Sequence, residues 1–285
     1  MLNLPDVTLV CVDTRTPGLA IAAMNRCFAQ IRFADAVLLT DLAQVADAPA
    51  GIRLQPVIVD SVEAYSQLIL RGLLPHVSTS HLLVMQWDGY VLDAGQWDDE
   101  FLRVDYIGAP WRNQPPGRST VGNGGFSLRS RRLLQALQDP ALSMRHPEDT
   151  CICHDNRTRL ESVHGIRFAP PELAARFSYE RIEPAAPTFG FHGMFNMHRV
   201  LSPEELHRLV CSLPDSLARG VDAHDLCAML IKQGQLDTAA QLLAKRHRLG
   251  MRDRRTMWLR WQLQLAVWRR HRQQDNGGAR DPRNI

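Results

Sequence analysis

No apolar run in this chain approaches the ~18–20 residues that a helix needs to cross a bilayer, so the sequence offers no membrane-spanning helix. The opening residues have no basic segment ahead of an apolar one, and Asp6 interrupts them, which leaves no secretory signal to read. Net charge is scarce too. Thirty-three Lys and Arg against 30 Asp and Glu leave +3, too little to point to nucleic acid as a partner. The six cysteines (Cys11, Cys27, Cys151, Cys153, Cys211 and Cys227) are scattered and mostly sit in apolar segments, the pattern of buried thiols in a reducing compartment. These absences lead us to expect a soluble, cytoplasmic protein. What is present, 45% hydrophobic and 22% charged residues in a chain of 285, suffices for one large domain and a small appendage.

Charge is unevenly spread, because Lys245 to Arg280 holds many Arg and few acids. Ahead of it, apolar runs alternate with helical patterns. Val7 to Val12, Ala36 to Thr40, Leu54 to Val59 and His81 to Gln86 read as strands. Helices are predicted from Leu19 to Ile31 and from Val62 to Leu74, the second capped by Ser61. Such alternation predicts an α/β fold whose mixed, mostly parallel sheet is flanked by helices, with ligands beyond the carboxyl ends of the strands. Asp13, Asp41 and Asp88 fall at such ends. Tyr106 to Ala109 and the glycine-broken Val121 to Leu128 are further strands, and Ser130 caps a helix through Leu137. After Asn196 the pattern turns helical, over Pro203 to Leu213, Asp222 to Gln233, Leu236 to His247 and Arg254 to Arg270. Leu226 to Leu243 is similar to one tetratricopeptide helix pair, but one copy is too few for a solenoid, and a plain helical cap is the simpler reading. The domains expected are 1–200, a helical extension over 201–272 and a disordered basic tail over 273–285.

Four segments can carry chemistry. Gln86-Trp87-Asp88-Gly89 ends a strand, where the Asp88 carboxylate can bind a divalent metal bridging two phosphates, or simply satisfy a turn. Gly122-Asn123-Gly124-Gly125 precedes Phe126-Ser127-Leu128-Arg129, and its glycines permit close backbone approach to a ligand or a bulged strand. It has neither the spacing of a dinucleotide fingerprint nor the Gly-Lys-Ser/Thr of a phosphate loop. Arg129, Arg131 and Arg132 follow, as solvated helix positions or as a phosphate contact. Glu148-Asp149 opens a helix, where the macrodipole alone favours acids and a general base is the functional alternative. His192, between glycines and aromatics in Phe189-Gly190-Phe191-His192-Gly193, suits a metal ligand or a structural role. His146, Cys151, Cys153 and His154 are spaced poorly for tetrahedral zinc.

Together these motifs resemble, in their order, the GT-A fold glycosyltransferases across residues of roughly 5–200. Leu82 to Leu92 looks like the lead into their Asp-x-Asp motif, Gly122 to Arg129 like their glycine loop, Glu148-Asp149 like their x-Glu-Asp motif, and His192 like their C-terminal metal-binding His. Within that group the pattern matches bacterial and plant glycosyltransferase-like proteins of unassigned reaction. One departure stands out: Gln86 occupies the place of the first acid of Asp-x-Asp.

The resemblance implies a GT-A-like (Rossmann-like) domain. It would move a sugar from a nucleotide diphosphate-sugar, a UDP-sugar in first place, to a glycan, lipid-linked or protein acceptor hydroxyl with inversion. Asp149 would be the base and Glu148 would orient the acceptor. Asp13 and Thr14 would face the nucleoside. Asp88 and His192 would hold Mn²⁺ or Mg²⁺, and Gln86, Trp87, Gly122, Asn123, Gly124 and Gly125 would line the donor, with Trp87 and Trp111 open to sugar stacking or to core packing. The alternative is a catalytically inactive GT-A-like module that binds a nucleotide or a protein, which Gln86 favours. The stretch Trp258 to Arg270 mixes Trp and Leu with Arg as surface-lying helices do, giving the C-terminal helices a protein partner or the inner face of a membrane as a second expectation.

Overall fold

In a computed structural model, residues 1–46 and 50–277 are described, with side chains up to residue 273. The chain divides into two compact units, Met1–His192 and Gly193–Ile285, where the sequence suggested a boundary at 200.

The first unit is built on a six-stranded sheet of order β3-β2-β1-β4-β6-β5. Its strands are β1 (Leu2–Val12), β2 (Ile31–Thr40), β3 (Arg53–Pro56), β4 (His81–Met85), β5 (Tyr106–Gly108) and β6 (Phe126–Ser130). β1 to β4 run parallel, and β6 enters antiparallel between β4 and β5. The mixed, mostly parallel sheet flanked by helices is the expected fold class. Alternation explains its two-sided burial. Val10, Val12, Val37, Leu39, Leu82 and Val84 share one face with Ile69 and Leu73. Leu9, Cys11, Leu38, Leu83 and Met85, of opposite parity, are equally buried. Each such side chain contributes roughly 1.5–3 kcal/mol by leaving water.

Helix α1 (Pro17–Phe28) crosses from β1 to β2 and brings Cys27 Sγ to 4.0 Å from Met85 Sδ. It ends short of the predicted Ile31, because Ile31 already opens β2, whose first residues pair with Leu2–Leu4. The ladder slips between Leu4 and Thr8, and Pro5, which has no N–H to donate, falls in that slip. Helix α2 (Val62–Gln67) starts as predicted, with Ser61 Oγ accepting from Ala64 N at 3.1 Å, and runs on as a π-helical turn, Leu68–Gly72. Helix α3 (Arg131–Ala136) is capped likewise by Ser130 Oγ, 3.0 Å from Leu133 N. The predicted strand from Val121 begins only at Phe126, so the three glycines form its approach rather than its interior. Short helices α4 (Glu148–Thr150), α5 (Arg157–Ser162) and α6 (Pro171–Phe177) follow, and β7 (Ser178–Tyr179) pairs parallel with β8 (Gly190–Phe191).

The second unit is helical: α7 (Met197–Val200), α8 (Pro203–Ser212), α9 (Val221–Lys232), α10 (Leu236–Arg248) and α11 (Arg254–Gly277). A capping box opens α8, with Ser202 and Glu205 bonding each other's backbone. Gly234 turns α9 into α10 at φ 75°, a left-handed conformation that glycine adopts without Cβ strain. Two cations of the basic stretch are structural rather than solvated. Lys245 Nζ donates to the carbonyls of Cys211 and Leu213 at 3.0 and 2.6 Å, closing the end of α8. Arg246 Nη1 donates to the carbonyl of Ala218 at 2.6 Å. α11 continues past residue 273, where a disordered tail was expected; residues 278–285 lie outside the described residues.

Candidate active site

The sheet order brings the four segments together. β4 ends at Met85, opposite Phe126, the first residue of β6, because the two strands are antiparallel. The residues after β4 (Gln86, Trp87, Asp88) and before β6 (Gly122 to Gly125) therefore share one rim. The carbonyl of Gly125 accepts from Gln86 N at 2.9 Å, and Gly89 N closes a tight turn on the Gln86 carbonyl at 3.1 Å.

His192 reaches this rim because its segment is held from two sides. Leu92 N donates to the Phe189 carbonyl at 2.8 Å, and His192 N donates to the Tyr179 carbonyl at 2.9 Å. Beneath it Phe126 stacks on Phe177 at 5.3 Å between centroids, with Phe189 5.7 Å from Phe177. The imidazole then meets four side chains. Nε2 lies 3.0 Å from Gln86 Oε1 and 3.6 Å from Asp88 Oδ1; Nδ1 lies 3.2 Å from Asn123 Nδ2 and 3.5 Å from Glu180 Oε1. An amide oxygen only accepts, so in the neutral ring Nε2 carries the proton and Nδ1 accepts from Asn123. Gln86 Nε2 in turn donates to the Tyr65 hydroxyl at 2.9 Å, and burial pushes the Tyr65 phenol up.

The acid pair stands on the other side of the glycines. Asp149 Oδ2 accepts from Gly124 N at 3.2 Å, and its Oδ1 accepts from Thr150 N at 2.7 Å. Ser66 Oγ, 2.9 Å from His146 Nδ1, ties α2 to the loop ahead of the pair. Asp149 is half-buried whereas Glu148 is 6% exposed. A Cβ on Gly124 would overlap Glu148 Oε1 and lie 3.1 Å from Arg129 Nη2, so glycine leaves the space in which these groups face each other. Burial, then the adjacent Asp149, raises the Glu148 carboxyl above the ordinary range, and Arg129 acts against both.

Arg129 is a correction to its reading as one of three solvated arginines. It is fully buried on β6 opposite Leu82 and Tyr106, with Nε 3.0 Å from Ser127 Oγ, Nη2 3.4 Å from the Gly124 carbonyl, and no hydrogen-bond partner on Nη1. Arg131 and Arg132 bond backbone carbonyls of Val77, His164 and Gly165 instead. Its place inside a central strand covered on both faces, Phe126–Ser130, was the available signal. Tyr65 and Glu180, unmarked as site residues, carried none.

Asp13 sits at the end of β1, next to β4, and its carboxylate is taken up by its own turn: Oδ1 accepts from Arg15 N and Thr16 N at 2.8 and 2.6 Å, Oδ2 from Thr16 Oγ1 at 2.7 Å. Thr14 Oγ1 leans to the Val59 carbonyl at 3.5 Å. Trp87 is half-buried; Trp111 packs edge-on against His154 at 4.8 Å and fills the space beside Gly122. Cys151 and Cys153 lie in an apolar cluster with Leu133 and Leu160, away from a zinc arrangement.

Among the described residues no group of three or more His, Cys, Asp and Glu is arranged as a metal site. Gln86 Oε1 and Asp88 Oδ1 nevertheless both lie near His192 Nε2, and the 3.0 and 3.6 Å separations from Nε2 are near the roughly 3 Å between neighbouring ligands of a cation bound at about 2.1 Å. Two oxygens and an imidazole fit a divalent cation once Nε2 gives up its proton.

The sequence model of one family, described as a protein of unknown function (DUF5672), matches residues 51–192. No curated protein matches. Solved structures similar to this chain include the galactosyltransferase LgtC in complex with donor and acceptor sugar analogs, at 14% identity and a TM-score of 0.39 over 65% of this chain and 86% of that one. Another is a glycosyltransferase involved in glycosylation of the major capsid of PBCV-1, at 12% identity and a TM-score of 0.40 over 65% of this chain and 91% of that one.

Proposed function

We propose that the first unit is a GT-A-like glycosyltransferase that moves a sugar, with inversion, from a nucleotide diphosphate-sugar (a UDP-sugar in first place) to an acceptor hydroxyl on a glycan, lipid or protein. The observation that carries this reading is the meeting of Asp88, Asp149 and His192 around Gly122 to Gly125 on one rim. The missing Cβ atoms of Gly122, Gly124 and Gly125 let Trp111, Glu148 and His192 close in on this loop, which is what draws the acid pair and the imidazole to one rim.

In this reading Asp88, His192 and the Gln86 amide oxygen would hold Mn²⁺ or Mg²⁺, which would supply positive charge near the diphosphate. The neutral Gln86 lowers the charge of the site by one against a two-acid motif, so a cation would be held more weakly there. The turn of Asp13 and Thr14, at the end of the neighbouring strand, would border the nucleoside, with the Asp13 carboxylate shaping that turn, while Gly122 to Gly125 with Asn123 and Trp87 would line the sugar. Asp149, the more exposed acid, takes the proton as the acceptor oxygen bonds to the anomeric carbon. The bond from that carbon to the diphosphate oxygen breaks, and the diphosphate leaves with the electron pair. Glu148 is sealed behind it, so we assign it to holding Asp149 and Gly124 in register rather than to touching the acceptor.

The hydrogen-bonded series Tyr65–Gln86–His192–Asn123, formed without a cation, favours a second reading, a non-catalytic nucleotide-binding module. Calorimetry with UDP, with and without Mn²⁺, followed by donor hydrolysis over a panel of nucleotide-sugars, separates the two. Metal-enhanced UDP binding with turnover of one donor is the expected result. Binding with no turnover of any donor selects the module, and no binding of any nucleotide removes both readings.

A further inference from the structure

α11 carries two apolar stripes, and only one is used inside its own unit. Thr256 and Leu259 are fully buried, and Leu263 and Ala266, on the same side at helical spacing, are partly so. A second stripe, Trp258, Trp261, Leu265 and Trp268, recurs at i, i+3, i+7 and i+10 on a different side. Its three tryptophans are 54%, 50% and 50% exposed. Trp258 and Trp261 stack on each other at 4.7 Å, and the Arg272 guanidinium lies 4.1 Å over the Trp268 ring. Beside Trp261 and Leu265 runs a groove of about 530 Å³ whose other wall is Met229 and Lys232 of α9.

The charge on this helix names what would cover the stripe. From Arg254 to Arg272 there are six Arg and no Asp or Glu, with Arg254 and Arg255 before the tryptophans and Arg269, Arg270 and Arg272 at their far end. A second copy of the same face would bring like charges together, which opposes self-association. Exposed indoles have an apolar body and a polar N–H, the chemistry of the headgroup–acyl boundary, and guanidinium groups pair with phosphate. α11 is itself too charged to cross a bilayer. We propose that this stripe of α11 lies in the surface of a bilayer containing anionic phospholipid, with the tryptophans at the acyl boundary and the arginines on the headgroup phosphates. The inference is independent of the catalytic reading, since lipid binding is measured without turnover.

The test is sedimentation of the full chain with vesicles of phosphatidylcholine alone or with about one-third phosphatidylglycerol, at low and high salt. The protein should pellet with the anionic vesicles only, less at high salt, with a blue shift of its tryptophan emission. Trp258→Gln/Trp261→Gln/Trp268→Gln and, separately, Arg269→Gln/Arg270→Gln/Arg272→Gln should each weaken binding by about tenfold or more. All six positions are solvent-facing, so the thermal midpoint should hold; single Trp261→Gln, expected to bind more weakly, is read instead if a triple variant unfolds. Wild-type protein left in the supernatant, or variants that bind as well as wild type, would overturn the proposal. So would a concentration-dependent dimer, in sedimentation velocity without lipid, that the tryptophan changes abolish.

Discussion

Gly125 lies directly against the imidazole of His192, close enough that a Cβ on the glycine would overlap the ring at Nε2. The ring is fixed by Gln86, Asn123 and its own backbone bond to Tyr179, so it cannot turn away cheaply. Gly125→Ala is therefore expected to destabilise by about 1–3 kcal/mol as an overpacked site, and to lower turnover by on the order of a hundredfold as the imidazole shifts. Gly18→Ala, in α1 with open space around it, is the control: it should leave turnover unchanged and stability unchanged or higher by up to about 1 kcal/mol. Urea midpoints and initial rates report the two effects.

Glu148 sets a pH dependence whose sign can be worked out. Its folded-state pKa is raised, first by burial and then by Asp149, so between the unfolded and folded values the native state binds more protons. Stability from this group is then fully present below the unfolded value and falls as pH rises through the folded one. Glu148→Gln removes that dependence. Whatever its constant offset, the thermal midpoint of Glu148→Gln minus that of wild type should increase from pH 4 upward, and a flat or falling difference contradicts the assignment.

Arg129 and Glu148 are a buried cation and a buried acid in one small space. Arg129→Met leaves Glu148 without its counter-charge and should cost about 3–5 kcal/mol. The double change with Glu148→Gln should recover part of this, so a double-mutant cycle in urea should yield clear coupling between the two positions. Strict additivity would mean that Arg129 acts only through its bonds to Ser127 and Gly124.

In the second unit Lys245 replaces solvent for two carbonyls at the end of α8. Lys245→Met keeps most of the packing and leaves both carbonyls without that donor, which should cost about 3 kcal/mol. Denaturant unfolding followed by far-UV circular dichroism reads this loss in the helical signal.

Much of the fold was legible because its signals are local. Ser61 and Ser130 cap the helices they were expected to cap, since capping needs only a hydroxyl three residues before an amide. The strand cores followed from β-branched and aliphatic runs buried on both sides. β2 was read too short because Arg32 to Asp35 sets two charged residues around Phe33 and Ala34, none of them buried, and only pairing with Leu2 to Leu4 makes it a strand. The rim was legible as motifs, whereas its support was not. Gln86 and His192 are 106 residues apart in sequence, and nothing local announces that an amide oxygen and an imidazole meet. Arg129 was hidden by Arg131 and Arg132, which made a run of cations out of one buried strand position and two helix positions. Asp13 shows the converse, an acid at a strand end whose carboxylate is engaged by its own turn.

The most direct test of the catalytic reading is Asp149→Asn, with UDP binding and sugar transfer measured on the same preparation. Transfer reduced by about 10²–10⁴-fold with UDP affinity nearly unchanged is the predicted result, because a general base acts on the acceptor proton and not on the donor. Transfer that survives the change, or UDP binding that falls as far as transfer does, would contradict it.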